Sequence, residues 1–392
     1  MQKTQEHVLQ GINPGGIYQA IWCRDAAYIL RDWFLAGNIQ GTMQQIYQIW
    51  SHQIWPNREK LVYGRGSPET KFLSEVAKED KQKEFQGALP TTYQAGFSEV
   101  YGQNPDIDST ALMISTSSWI LAMSLKDRLS MTETSSSEQQ TIIASEHSSD
   151  YISALLSKLG MTDPLKVVKF AVPCMLTAVE YLSNRDIDND GLLEQNHNED
   201  WMDTVLRAGK IVYSQACWIL ALSNLASLLF QLGRDDESNK IARLADKAIK
   251  SVDQNLWSEE DACYLDIQET HHLGGPYRTL TQDVSLFLVA ITENTINEGL
   301  KVARGKHNGQ VKEEEQQQTG STILDQNLHE RSNLTLDAIR ARAWKEKWPL
   351  VTEVELKATG PWNLKPYQYH NQTFWPWTTG IEMLARSRFD RI

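Results

Sequence analysis

The stretch 210–256, KIVYSQACWILALSNLASLLFQLGRDDESNKIARLADKAIKSVDQNL, decides the fold class. From Ala216 to Leu232 it is apolar apart from Ser223, Asn224, Ser227 and Gln231. That run is too long for a buried strand, and its polar interruptions keep it short of an uninterrupted bilayer span. It reads as a buried helix, 210–232. Gly233-Arg234-Asp235 breaks it, and residues 237–256 resume with apolar residues at helical spacing. Two helices joined by so short a turn make a hairpin.

The same rhythm continues outward. Residues 24–36, RDAAYILRDWFLA, end at Gly37-Asn38, a helix-stop signal. Further helical runs occupy 40–54 and 108–127. Thr162-Asp163-Pro164 supplies an N-cap followed by proline at the first helical position, opening a helix to about Asn184. Helices are also expected at 281–292, 334–346 and 374–388. No series of alternating strands competes. Helices in sequential pairs predict an all-α toroid of helical hairpins, its loops at one rim carrying function. One domain spans 1–392. Residues 129–150 and 304–332 are polar, lack an apolar period and read as flexible surface insertions. Residues 57–105 form a long irregular segment, of a kind usually retained as a rim or lid over a site.

Composition narrows the partners. There are 38 Lys+Arg against 50 Asp+Glu, a formal net charge of −12, and 41% hydrophobic residues. The acidic balance argues against nucleic acid and against an anionic membrane surface. The N-terminus has no apolar signal-like core, and the four cysteines show no paired spacing, so a reducing, cytoplasmic setting is expected. The chain holds 13 Trp and 13 Tyr. Many must be core, but flat aromatic faces also stack on the apolar face of a pyranose.

Four constellations could carry chemistry. Ile21-Trp22-Cys23-Arg24-Asp25 places a carboxylate at a helix N-terminus, as a simple cap or, with Arg24, Trp22 and Tyr18, as a hydroxyl-binding corner. Asp186-x-Asp188-x-Asp190-Gly191 begins like a calcium loop, but position 12 is His197 where a bidentate Glu is needed, so a turn is the better reading. Glu199-Asp200-Trp201-Met202-Asp203 crowds three carboxylates around a Trp. Burial there would raise one carboxyl toward the range of a general acid. Tyr367 to Trp377 packs five aromatics with His370 and Asn371 before a helix, a natural binding rim. His271-His272 lacks partners at metal-ligand spacing. No metal and no organic cofactor are expected.

The ordered blocks WCRDAAYIL, DIDSTALMI, DGLLE…DWMDT and YHNQTFWPW resemble the six-hairpin glycosidases. The resemblance is strongest to the catalytic domain of amylo-α-1,6-glucosidases, with neutral invertases as cousins. It implies an (α/α)6 toroid and a carbohydrate substrate. By resemblance, Asp203 is the general acid of an inverting glycoside hydrolase. Trp22, Arg24, Asp25, Asp108, Trp201, Tyr369, His370, Asn371 and Trp375 would bind the sugar. The resemblance also implies a second carboxylate as base on a late loop. Only Glu382 follows Trp375 among the glutamates, and the nine helical runs fall short of twelve. The toroid is therefore expected to be incomplete at its C-terminal end. A carbohydrate-binding form lacking the base, or an invertase-like disaccharide hydrolase, is the alternative.

Overall fold

A computed structural model describes residues 20–56, 61–63, 82–94, 97–132, 162–266, 278–295, 318–358 and 364–391. Helices dominate: α1 (Cys23–Leu35), α2 (Ile39–Ser51), α3 (Ile107–Thr132), α4 (Pro164–Ser183), α5 (Val212–Gln231) and α6 (Asp235–Asn255). A 3-10 turn, Gln282–Val284, leads into α7 (285–295). Helix α8 (Gln318–Ala338) winds on as a π-helical turn, Ile339–Ala343, and α9 is Pro376–Arg388. Every helical run expected from the sequence is found.

Helix α5 is the axis of the core. Seventeen of its residues, from Val212 to Leu229, are buried. It packs most extensively on α3 and α6, and α3 in turn packs on α1. Its mean hydropathy would suit a membrane span, but this surface is covered by the neighbouring helices. Asp163 caps α4 by accepting from the Leu165 amide at 3.1 Å, with Pro164 behind it, as the sequence predicted.

Two expectations need correction. Residues 318–332, read as part of a flexible insertion, belong to α8. Leu328, Ser332, Leu336 and Ile339 recur every three or four residues and are buried, so a narrow stripe suffices to dock an otherwise polar helix. Likewise 129–132 are the last turn of α3. The remainder of both segments, together with His271 and His272, lies outside the described residues. Three strands within 57–105 also join Ile21–Trp22 in a small sheet in the order β1-β3-β4-β2, made of Ile21–Trp22, Thr92–Gln94, Phe97–Val100 and Leu61–Tyr63. Strand β1 pairs antiparallel with β3 (Ile21 opposite Tyr93, Trp22 opposite Thr92) and so fixes the entry into α1. The hairpins β5–β6 (Trp257–Ser258, Cys263–Tyr264) and β7–β8 (Trp344–Lys345, Trp348–Pro349) complete the described strands.

Candidate active site

A cavity of about 480 Å³ opens where the N-terminal turn of α1 meets the loop before α5 and the loop before α9. Its lining is Trp22, Arg24, Asp25, Tyr28, Ile29, Trp201, Asp203, Tyr369, His370, Trp375 and Trp377. Residues far apart in sequence converge there because each loop is anchored by its own buried polar contacts.

Arg24 is the first anchor. Its Nε donates to Asp108 Oδ2 at 2.6 Å, and a terminal nitrogen reaches Asp108 Oδ1 at 2.9 Å and Asp106 Oδ2 at 3.0 Å. Asp106 also accepts from the Thr91 and Ser109 hydroxyls, each at 3.1 Å. The guanidinium therefore clamps the start of α1 to the start of α3. Asp25, in the first turn of α1, faces the cavity, and burial raises its pKa despite Arg24 nearby.

The loop 199–204 sorts the three carboxylates that its sequence leaves equivalent. Glu199 turns inward to Arg185 (2.6 Å) and Asn104 (2.6 Å). Asp200 accepts from the Met202 amide at 2.8 Å and from Gln195 at 2.9 Å, with Arg207 3.2 Å away. Asp203 alone of the three lines the cavity, its side chain 33% exposed. Burial pushes its pKa up to about 6; Arg24 opposes this, and Asp200 and Asp108 add to it. The loop is held close on its far side at Gly102, where a Cβ would come within 2.7 Å of the Asn198 carbonyl oxygen.

Behind the wall lies a network the sequence did not disclose. Arg207, fully buried, donates to Asp266 at 2.8 Å and to Asp283 at 2.9 Å. Asp283 also receives the Trp201 indole N–H at 2.6 Å. Burial pushes the Asp266 carboxyl upward, Arg207 opposes this, and the Asp283 and Asp200 charges add to it. The Trp201 ring is fixed by this network and stands edge-on to Trp377 (4.6 Å), His370 (5.1 Å) and Trp375 (5.4 Å).

The third loop brings Tyr369, His370 and Trp375. Trp375 Nε1 donates to the Tyr369 carbonyl at 2.9 Å. His370 Nδ1 lies 2.8 Å from Thr204 Oγ1 and 3.8 Å from Asp203 Oδ1. Burial, then Arg24 and Arg207, push its pKa down to about 3, so near neutrality it is an uncharged neighbour of Asp203.

Of the residues singled out in the sequence, Trp22, Arg24, Asp25, Trp201, Asp203, Tyr369, His370 and Trp375 come together at the cavity. Asp108 and Asn371 do not. Asp108 is buried behind Arg24, and Asn371 bridges the Leu356 amide and carbonyl at 2.8 and 2.9 Å. Both build the wall rather than face the cavity. Tyr28 and Ile29 were missed, whereas Trp377 belongs to the aromatic block read as a rim. Tyr28 lies four residues beyond Arg24 on the same helix face, and Trp377 closes the Trp-Pro-Trp block. Glu382 is buried, accepting from Gln282 (2.8 Å), Trp344 (3.1 Å) and Arg386 (2.7 Å), and is not among the lining residues of the cavity. Among the described residues, Asp186, Asp188 and Asp190 are the carboxylates close enough to share a metal. There the Lys210 ammonium sits 2.6 Å from Asp188 and 2.7 Å from Asp190, where a cation would sit.

The whole architecture is shared with solved structures. An uncharacterized conserved protein from Thermus thermophilus aligns over 99% of this chain and 87% of its own, with TM-score 0.56 and 13% identity. A GH63 mannosylglycerate hydrolase from the same organism, solved with glucose, aligns over 100% and 87%, with TM-score 0.55 and 13% identity. The same hydrolase solved with Tris aligns over 100% and 88%, with TM-score 0.56 and 13% identity. No protein-family model matches the chain, and no curated protein matches it. At such identity the likeness establishes the fold: an all-α helical toroid.

Proposed function

We propose that this chain is an inverting glycoside hydrolase acting on α-glucosidic linkages of a neutral glucan or oligosaccharide, of the 1,6-debranching kind. The observation that carries the reading is Asp203: a carboxyl held near pKa 6 by burial, on the wall of a cavity made chiefly of indole and phenol rings. Such a carboxyl is protonated often enough near neutrality to donate to a leaving glycosidic oxygen. The rings stack on a pyranose, and Arg24 and Asp25 take its hydroxyls, which positions the bond for attack. The glucose-bound hydrolase of the same fold supports a sugar ligand.

Mannosylglycerate, for which that hydrolase is named, carries a carboxylate. Here Arg24 is the cationic residue among the described residues lining the cavity, and it is already committed to Asp106 and Asp108. A neutral glycoside suits this site better. The four free thiols, three of them buried, suit a cytoplasmic setting.

Inversion requires a second carboxylate roughly 6.5–9.5 Å from the first, with room for water between. Among the described lining residues Asp25 is the other carboxylate, and Glu382 is engaged elsewhere. The second reading, in which Asp25 does not serve as that base, is a carbohydrate-binding form without one. Glucose release from isomaltose, a branched limit dextrin and sucrose separates the two, measured for the chain, for Asp203→Asn and for Asp25→Asn. Release from the branched glucan that Asp203→Asn abolishes is the expected result. Glucan binding with no release from any substrate selects the second reading.

A further inference from the structure

Beside the cavity, four aromatic rings stand in water: Trp348 is 60% exposed, Tyr367 58%, Tyr369 47% and Phe374 41%. They form a row. Tyr369 lines the cavity and stands 5.4 Å from the Trp375 ring. Phe374, the residue before Trp375, meets Trp348 of the β7–β8 hairpin edge to face at 5.4 Å. Lys345 of the same hairpin lies 4.6 Å over the Tyr367 ring and 3.0 Å from its hydroxyl.

The backbone beneath the row is an independent sign. Tyr367 (φ +65°), Tyr369 (φ +47°) and Gln372 (φ +53°) all adopt the left-handed region. That conformation is costly for bulky side chains and is kept where the surroundings or a function require it. Here it accompanies two phenol rings that stay about half exposed. Exposed aromatics on strained backbone, continuous with a cavity, mark a surface that a ligand covers.

The chemistry of the row selects the ligand. It offers flat ring faces with phenol hydroxyls, and the Lys345 ammonium lies against one of them. Successive pyranose rings match that alternation of apolar faces and hydroxyls. We propose that Trp348, Tyr367 and Phe374 form an outer platform on which the sugar units beyond the one in the cavity stack. The ligand is then an oligosaccharide rather than a disaccharide. This rests on reading the cavity as a sugar site.

The test is calorimetric binding of α-1,4- and α-1,6-linked gluco-oligosaccharides of two to five units to the full chain carrying Asp203→Asn. Affinity is expected to rise about tenfold from the shortest to the longest ligand, the scale of one or two aromatic contacts. Adding Trp348→Ala or Tyr367→Ala should remove most of that ratio, and Trp348→Phe should retain most of it. Binding of the disaccharide with no gain in length, or a gain that both alanine variants keep, overturns the platform and leaves the cavity reading intact. Failure of every ligand to bind overturns both. Sedimentation of the unliganded chain guards against one other occupant: a dimer that Trp348→Ala dissociates makes the row a self-association face, and the proposal falls.

Discussion

Arg24 and Asp108 share two hydrogen bonds, 2.6 and 2.9 Å long, across the gap between the first turns of α1 and α3. The fork is nearly dry, and it sets the angle at which Trp22 and Asp25 meet the cavity. Removing one partner of a buried pair strands the other, which costs about 3–5 kcal/mol. Asp106 remains beside Arg24, so Asp108→Ala should fall at the low end, about 3 kcal/mol, seen as a lowered urea midpoint. Arg24→Lys keeps the charge but cannot fork. It should lose hydrolysis more than stability, and equal loss of both would show that the clamp is purely structural.

Asp203 and His370, 3.8 Å apart, are shifted in opposite directions by the same burial. Asp203 titrates near 6 folded against an ordinary 3.8. The native state therefore binds its proton more tightly, and stability falls as pH rises from about 4 through 6. Asp203→Asn should abolish hydrolysis yet raise stability above pH 6 by about 1–2 kcal/mol, after allowing for screening at a partly exposed side chain. At about pH 4 the two proteins should melt alike. In the wild type, kcat/KM should decline along an alkaline limb near pH 6, as expected for an essential protonated acid.

For His370 the sign reverses. Its folded pKa is pushed down to about 3 from 6.5, so the native state rejects a proton that the unfolded chain accepts. Stability should fall as pH drops below about 6.5, by roughly 3 kcal/mol on reaching pH 4. His370→Gln should flatten that acid limb in melts from about pH 4 to 7. An unchanged slope would mean that the ring is not held neutral.

These effects show how unevenly the sequence speaks. Helices such as α5 are legible because their period is local: residues three and four apart share a face whatever lies elsewhere. The strands around Trp22 are two to four residues long and paired over about seventy positions, so no alternation announces them. Helix α8 hid its start because its N-terminal half is rich in polar residues, and Leu328 and Ser332 are the buried positions among 326–332. In the site, local reading gathered the acidic loop and the aromatic block. It could not choose among Glu199, Asp200 and Asp203, because the choice is made by Arg185 and Arg207 from other segments. Asp108 and Asn371 were misplaced for the same reason: only tertiary contact tells a wall from its lining.

Lys210 offers a last test, at the loop whose sequence begins like a calcium site. Its ammonium lies 2.6 Å from Asp188, 2.7 Å from Asp190 and 3.6 Å from Glu194. Desolvation pulls its pKa down, but the hydrogen bonds to Asp188 and Asp190 outweigh that and raise it. A lysine side chain thus brings one positive charge to the place where the carboxylates of this loop converge. Because Asp188 is well exposed, the pairs themselves are worth little, and Lys210→Met should cost about 1 kcal/mol. The substitution also leaves Asp186, Asp188 and Asp190 facing one another with only Lys247 among the described residues, 3.5 Å from Asp186, as a nearby counter-charge. Calcium should then enter weakly, since the bidentate glutamate of a complete loop is lacking. With a dissociation constant of about 1 mM, about 10 mM calcium would return about 1.4 kcal/mol. Melts with and without calcium should therefore differ for Lys210→Met and coincide for the wild type. A wild-type protein that calcium stabilises equally would show that the ion competes with Lys210, and the lysine would not be the loop's own cation.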